Sequence, residues 1–272
     1  YYIKEIFKKF PYFLKFIFIN KFKIHKRIPE KQRKKLKNYL YYCEQGMIND
    51  RLDLVKLKFS NKLKSKICKL SRGVDTNIFK KKNIRRESII KKYGIFNNEK
   101  IIFFCGRIHE LKGAVFLSKI HKLLSKKINV VSIFAGENIH GEKCTKIGGN
   151  RIKLIGHITE NEVCELYNLC DLFVFPSKYE IGPQVVLEAK ACGAICVVSP
   201  QGGGKRIYRN GIDGIVIKKF DPKQWESEII KLLNDEKKRE FMKKQILTKF
   251  SPPSWREIFD KYFTEKWNKI LK

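Results

Sequence analysis

The chain has 272 residues, room for one full α/β domain and part of a second. Its 59 Lys and Arg against 27 Asp and Glu give a formal charge of +32, which calls for an anionic partner but does not choose among nucleic acid, an anionic bilayer and a phosphorylated sugar. Composition excludes more: no run approaches the roughly 18–20 apolar residues of a membrane span, and eight cysteines without a CxxC pair, several of them in or beside apolar runs, point to a reducing cytoplasm, with Cys192 and Cys196 lacking the partner clusters of a metal site.

Residues 1–50 hold thirteen Lys or Arg against four acidic residues, interleaved with Tyr, Phe and Ile. They read either as a basic, aromatic surface for anionic lipid headgroups or as the solvated face of an incomplete domain. No secretory signal is read, and a chain that starts at Tyr1 is expected to continue upstream. Alternating apolar residues predict strands over Leu52–Phe59 and Ile67–Leu70. Arg72-Gly73-Val74-Asp75 then breaks the pattern, and the Lys-rich stretch Lys80–Arg86 reads as a linker, which puts a domain boundary near Gly73.

Beyond it, strands and helices alternate. Strands are expected at Ile101–Cys105, Val130–Ala135, Ile152–Ile155, Leu172–Phe175, Ile195–Ser199 and Gly214–Ile217. Helices are expected at Ala114–Lys126, Glu160–Leu169, Val185–Cys192 and Lys205–Arg209, with another from Asp221-Pro222 towards Leu233. Thr159 with Glu162, and Ser254 with Glu257, have the spacing of capping boxes. Near-continuous apolar strands separated by helices imply an α/β fold, a Rossmann-like parallel sheet with helices on both faces. Such sheets bind ligands at the carboxyl ends of their strands.

Three motifs lie at those ends. Cys105-Gly106-Arg107, followed by Lys112-Gly113, offers a glycine for close backbone approach and two cations that could neutralise a diphosphate; the other reading is a plain surface pair. Ser177 through Ala189 runs from a strand end into a helix that starts near Pro183, with Glu180 in the loop and Glu188 on the helix. Two carboxylates so placed accept hydroxyls at the two ends of an elongated ligand, with free amides between them. Alternatively, Glu188 is a buried helix residue paired to a cation and Glu180 is merely solvated. Ser199-Pro200-Gln201-Gly202-Gly203-Gly204 reads equally as close backbone approach or as a flexible turn. Neither GxGxxG nor GxxxxGK[ST] occurs, so nicotinamide dinucleotide and P-loop readings lose their support. The five histidines read as ordinary core or surface residues, although His109 and His157 lie near strand ends.

Taken in order, Gly73-Val74-Asp75-Thr76-Asn77-Ile78-Phe79, Gly106-Arg107 with Lys112-Gly113, Glu180-x7-Glu188, Ala191-Cys192-Gly193 and Gly202-Gly203 resemble the GT-B retaining glycosyltransferases of family 4, from about residue 60 to the C-terminus. The resemblance implies that Arg107 and Lys112 bind the donor diphosphate and assist its departure, that Glu188 holds the nucleotide ribose, and that Glu180 holds hydroxyls of the transferred sugar. Gly106 and the backbone of Gly182, Pro183, Gln184 and Val185 would complete the donor site. It further implies a UDP- or GDP-sugar donor, a glycan or lipid-linked acceptor, no metal or other cofactor, no nucleic acid, and a cytoplasmic enzyme on the inner face of the plasma membrane. Residues 1–72 would be a partial acceptor-side segment, 73–250 the donor domain, and 251–272 a C-terminal helix packing back towards the N-terminal side. Ile181-Gly182-Pro183 departs from the family's usual residues after the first Glu, and Arg206 stands where an acid is usual. The family's histidine in the acceptor domain cannot be assigned to His25.

Overall fold

A computed structural model describes residues 72–180 and 182–260, all within a unit that begins at Arg72. The predicted strands Leu52–Phe59 and Ile67–Leu70, the basic segment 1–50 and the end of the C-terminal helix lie outside the described residues. Six parallel strands, β1 (Lys100–Cys105), β2 (Val130–Ala135), β3 (Ile152–Gly156), β4 (Leu172–Phe175), β5 (Cys196–Val198) and β6 (Ile215–Val216), form one sheet in the order β3-β2-β1-β4-β5-β6. The strands are almost wholly apolar because both faces are covered: Ile101, Ile102, Phe103, Phe104, Phe173 and Val174 are fully buried. Edge-on contacts join Phe103 to Tyr167 at 5.3 Å and Tyr167 to Phe173 at 5.2 Å, which ties β1 and β4 to one helix.

The helices are α1 (Arg86–Tyr93), α2 (Ala114–Leu124), α3 (Gly141–Gly148), α4 (Glu160–Leu169), α5 (Gln184–Ala191), α6 (Pro200–Gly203), α7 (Pro222–Asn234), α8 (Glu236–Lys249) and α9 (Trp255–Phe259). Two packed groups cover the sheet: α2 with α3 and α7, and α5 with α4 and α8. Both capping boxes form, with Thr159 and Glu162 opening α4 and Ser254 and Glu257 opening α9. At the other end of the unit, Val74 pairs with Ser254 in a parallel bridge, so the residues after the expected boundary are sewn to the start of α9.

Several boundaries differ from expectation. The helix foreseen at Val185–Cys192 starts one residue earlier because Pro183 is its N-cap, and that foreseen at Lys205–Arg209 is a 3-10 turn, Gly204–Arg206, after α6. The linker reading of Lys80–Arg86 fits only up to Arg85, since Arg86 opens α1. Helices α1 and α6 were not foreseen, nor were α3 and α8. Of these last two, the first begins with Gly141, whose amide is held by the Asn138 carboxamide at 2.8 Å, and the second has only three buried residues, Arg239, Met242 and Ile246, too few for a clear apolar stripe.

The order of the sheet fixes where a ligand can sit. The chain steps outward from β1 to β2 and β3, then crosses back to β4 on the other side of β1. Loops leaving β1 and β4 therefore diverge to opposite sides, opening a crevice at the carboxyl ends of the two central strands. Both of the charged motifs read from the sequence leave these two strands.

Candidate active site

The loop after β1 carries Gly106 and Arg107 and then a 3-10 turn, Glu110–Lys112, that hands over to α2 through Gly113. Gly113 has φ 88°, and a Cβ there would stand 2.2 Å from the Pro176 carbonyl oxygen. No other residue lets this turn lie so close to the end of β4. The Leu111 carbonyl clamps the two loops together, accepting from the Lys178 amide at 2.9 Å and from the Ser177 hydroxyl at 3.1 Å.

This contact brings two of the predicted site residues into direct touch. The Lys112 ammonium donates to Glu180 Oε1 at 2.6 Å, with both side chains largely shielded from solvent. Ser177 Oγ lies 3.1 Å from the same oxygen, so a buried hydroxyl and an ammonium fix the orientation of the carboxylate. Ser177 is held in turn by Ser199, whose Oγ donates to the Ser177 carbonyl and accepts from the Gly202 amide. A Cβ at Gly202 would stand 2.5 Å from the Phe175 carbonyl oxygen, so the glycine run after β5 is a close backbone approach and not a loose turn.

Glu188 sits on α5, half-buried, and its carboxylate has no hydrogen bond or ion pair among the described residues. The paired-cation alternative for this residue therefore has no partner among them. Burial, and then the charge of Glu160, raise its carboxyl to about 7. Its field reaches the end of β1: burial first, and the Glu188 charge second, push the Cys105 thiol up to about 12. Arg107, two residues beyond Cys105, is exposed and makes no ion pair among the described residues.

The N-terminus of α5 faces the same loops. Pro183 supplies no side-chain cap, Val185 is half-buried, and Gln184 donates to the Gly73 carbonyl at 2.6 Å while its own oxygen is buried without a hydrogen-bond partner among the described residues. A third cation lies here that sequence reading passed over. The Arg72 guanidinium packs on Gly182, where a Cβ would stand 2.7 Å from Nε.

Two more supports were missed. Lys190, on α5 and 1 % exposed, donates to Asp213 at 2.7 Å and to the Arg206 carbonyl at 2.8 Å, with the Tyr208 ring 4.7 Å from its ammonium. Asp213 also accepts from the Tyr208 and Arg209 amides, so α5 is bolted to the loop before β6. A lysine inside the apolar run Val185–Ala194 was the available signal. His109 is the other, capping the turn that carries Lys112.

Residues 85–248 match the family model described as glycosyl transferases group 1, which covers more than half of the chain. This chain belongs to the glycosyl transferases group 1 family. It is 26% identical over 180 residues to a D-inositol 3-phosphate glycosyltransferase of Thermobispora bispora, covering 60% of this chain and 41% of that one. It is 43% identical over 79 residues to N,N'-diacetylbacillosaminyl-diphospho-undecaprenol alpha-1,3-N-acetylgalactosaminyltransferase of Campylobacter jejuni, covering 29% and 21%. The crystal structure of Anabaena HepE in complex with UDP-glucose superposes with a TM-score of 0.66 at 19% identity, over 79% of this chain and 60% of that one. The chain spans less than half the length of the first curated relatives it matches. This member of the group 1 family carries an α/β Rossmann-like fold, and no helix among its described residues is long and apolar enough to cross a membrane.

Proposed function

We propose that this glycosyltransferase moves a hexose from a nucleoside diphosphate sugar to a glycan or lipid-linked acceptor with retention of anomeric configuration, as a family 4 enzyme that needs no metal. The observation that carries the reading is the Lys112–Glu180 contact at the crevice between β1 and β4, with Arg107 in the same loop after β1 and the half-buried Glu188 of α5 acting on Cys105 at the end of β1. Cation and carboxylate at one point suit a ligand that is phosphate at one end and polyol at the other. Arg107 and Lys112 would take the diphosphate, Glu180 the sugar hydroxyls, and Glu188 two ribose hydroxyls. As the bond between the anomeric carbon and the diphosphate oxygen breaks, the cations and the α5 amides stabilise the leaving anion. The acceptor hydroxyl attacks from the same face and gives its proton to a departing phosphate oxygen.

The donor half of this reading is supported by the UDP-glucose named in the HepE structure. The acceptor is less constrained, because the relatives' own names differ between an inositol phosphate and a diphospho-undecaprenol-linked saccharide. Residues 1–72 are proposed as acceptor-side and 251–272 as a helix returning towards them. A second reading is a module that binds nucleotide sugar without transferring it.

Titration of the full chain with UDP and GDP, followed by transfer and hydrolysis assays with radiolabelled sugar donors in EDTA, tests both. Saturable nucleotide binding with sugar release is expected, and Arg107→Ala should weaken UDP binding about tenfold, the loss of one charge-assisted contact. Binding without release selects the second reading, and absence of binding to either nucleotide removes both.

A further inference from the structure

The short turn that carries Lys112 has an unusual foundation. A 3-10 turn leaves its first amides without internal acceptors. Here the Leu111 amide donates to Nδ1 of His109 at 3.1 Å, and the Glu110 amide donates to Nδ1 of His140 at 3.2 Å. The two imidazoles stack on each other, 4.6 Å between centroids and 23° between planes. His140 comes from the loop after β2, which is fixed by its own amide to the Ile108 carbonyl at 2.8 Å and by an Ile108–Asn138 bridge. Every backbone amide from Ile108 to Ala114 thereby has an acceptor, two of them ring nitrogens.

Backbone amides can only donate, so each Nδ1 must present a lone pair and each neutral ring carries its proton on Nε2. The histidines therefore occupy the amides that an anion would otherwise find at this turn. Phosphate is left to meet side chains, and His109 stands between the two that matter, two residues after Arg107 and three before Lys112.

We propose that His109 and His140 are positioning residues: their stacked rings cap the turn after β1 and so hold Lys112 against Glu180. The proposal rests on the donor-site reading above for what Lys112 does, and on hydrogen-bond geometry for how it is held. The charged groups around the turn include Glu110, which is paired to Lys143 of α3 at 3.3 Å and also feels Lys178 after β4 and His140 itself.

Substitution can separate the acceptor from the ring. Asparagine at a cap accepts from the following amides much as this Nδ1 does, whereas phenylalanine keeps the ring and the stack but offers no acceptor. In the full chain, His109→Phe should bind UDP about fivefold more weakly than the parent, the loss of one cap, and His109→Asn should stay within about twofold. His140→Phe and His140→Asn should follow the same order. Equal affinity of His109→Phe and the parent, or equal losses in both His109 variants, overturns the proposal.

Amide hydrogen exchange supplies the second measurement and needs no nucleotide. Exchange at Glu110 and Leu111 should quicken about tenfold in the matching Phe variants and stay near the parent rate in the Asn variants. If the parent fails to bind UDP while this exchange pattern holds, the donor-site reading has failed and the caps stand. If all four variants exchange like the parent, the caps fail.

Discussion

Glu188 is held in a condition that folding alone would not select. An unfolded glutamate ionises near about 4.3, whereas burial moves this one to about 7. The folded chain therefore retains a proton between those values that the unfolded chain has lost. Stability from the neutral form is full below the lower value and disappears as pH rises through the upper one. Replacing Glu188 by Gln should raise stability at pH 8 by on the order of 2–3 kcal/mol and have little effect at pH 4, read from denaturant midpoints. An unchanged midpoint at pH 8 would show the carboxylate to be better solvated than its place on α5 implies. His121 runs the opposite way: burial, aided by the Arg151 charge, depresses its imidazole to about 4, so its contribution fades as pH falls below the ordinary histidine range. The two groups partly offset each other in acid. Glu188 could be picked out from sequence by its spacing from Glu180. Ser177, Ser199 and Arg72 could not, because their places depend on which strand ends become neighbours.

At the level of elements, what steadies α5 is its charged bolt to the β6 loop. Lys190 and Asp213 are both buried, and Asp213 keeps two backbone donors that no apolar substitute could satisfy. Lys190→Met would leave that carboxylate buried with its charge unmatched. The expected destabilisation is about 3–5 kcal/mol, measured by urea unfolding, and a change under about 1 kcal/mol would mean that the neighbouring rings and amides suffice. The elements themselves were largely legible. Strands β1, β2 and β4 and helix α4 follow from apolar runs bounded by turn residues or by a capping box, all local signals. Helix α8 escaped because its buried face is three residues among lysines, and α3 because Gly141 and Gly148 at its ends look like loop. The resemblance assigned Lys112 and Glu180 to one donor site, but their direct contact was not read from the sequence. Its physical cause is the crossover that sets β4 beside β1, and no window of sequence contains that.

For the whole molecule, charge is the dominant global property. A formal +32 spread over 272 residues draws anions from a distance, and Arg107 is exposed to whatever salt surrounds it. UDP affinity should fall about threefold to tenfold between about 0.05 and 0.5 M salt, within a screening argument alone. Indifference to salt would place the binding energy in buried contacts, with Lys112 and Glu180 ahead of Arg107. The parallel sheet also separates the two ends of the unit. All proposed donor contacts leave the carboxyl edge of the strands, while the turn from Ser125 to Asn129 enters β2 from the opposite edge. Ser125 is exposed there. A cysteine-coupled fluorophore or an affinity handle at Ser125 would thus report on the protein, or immobilise it on a sensor, while leaving the crevice open to nucleotide.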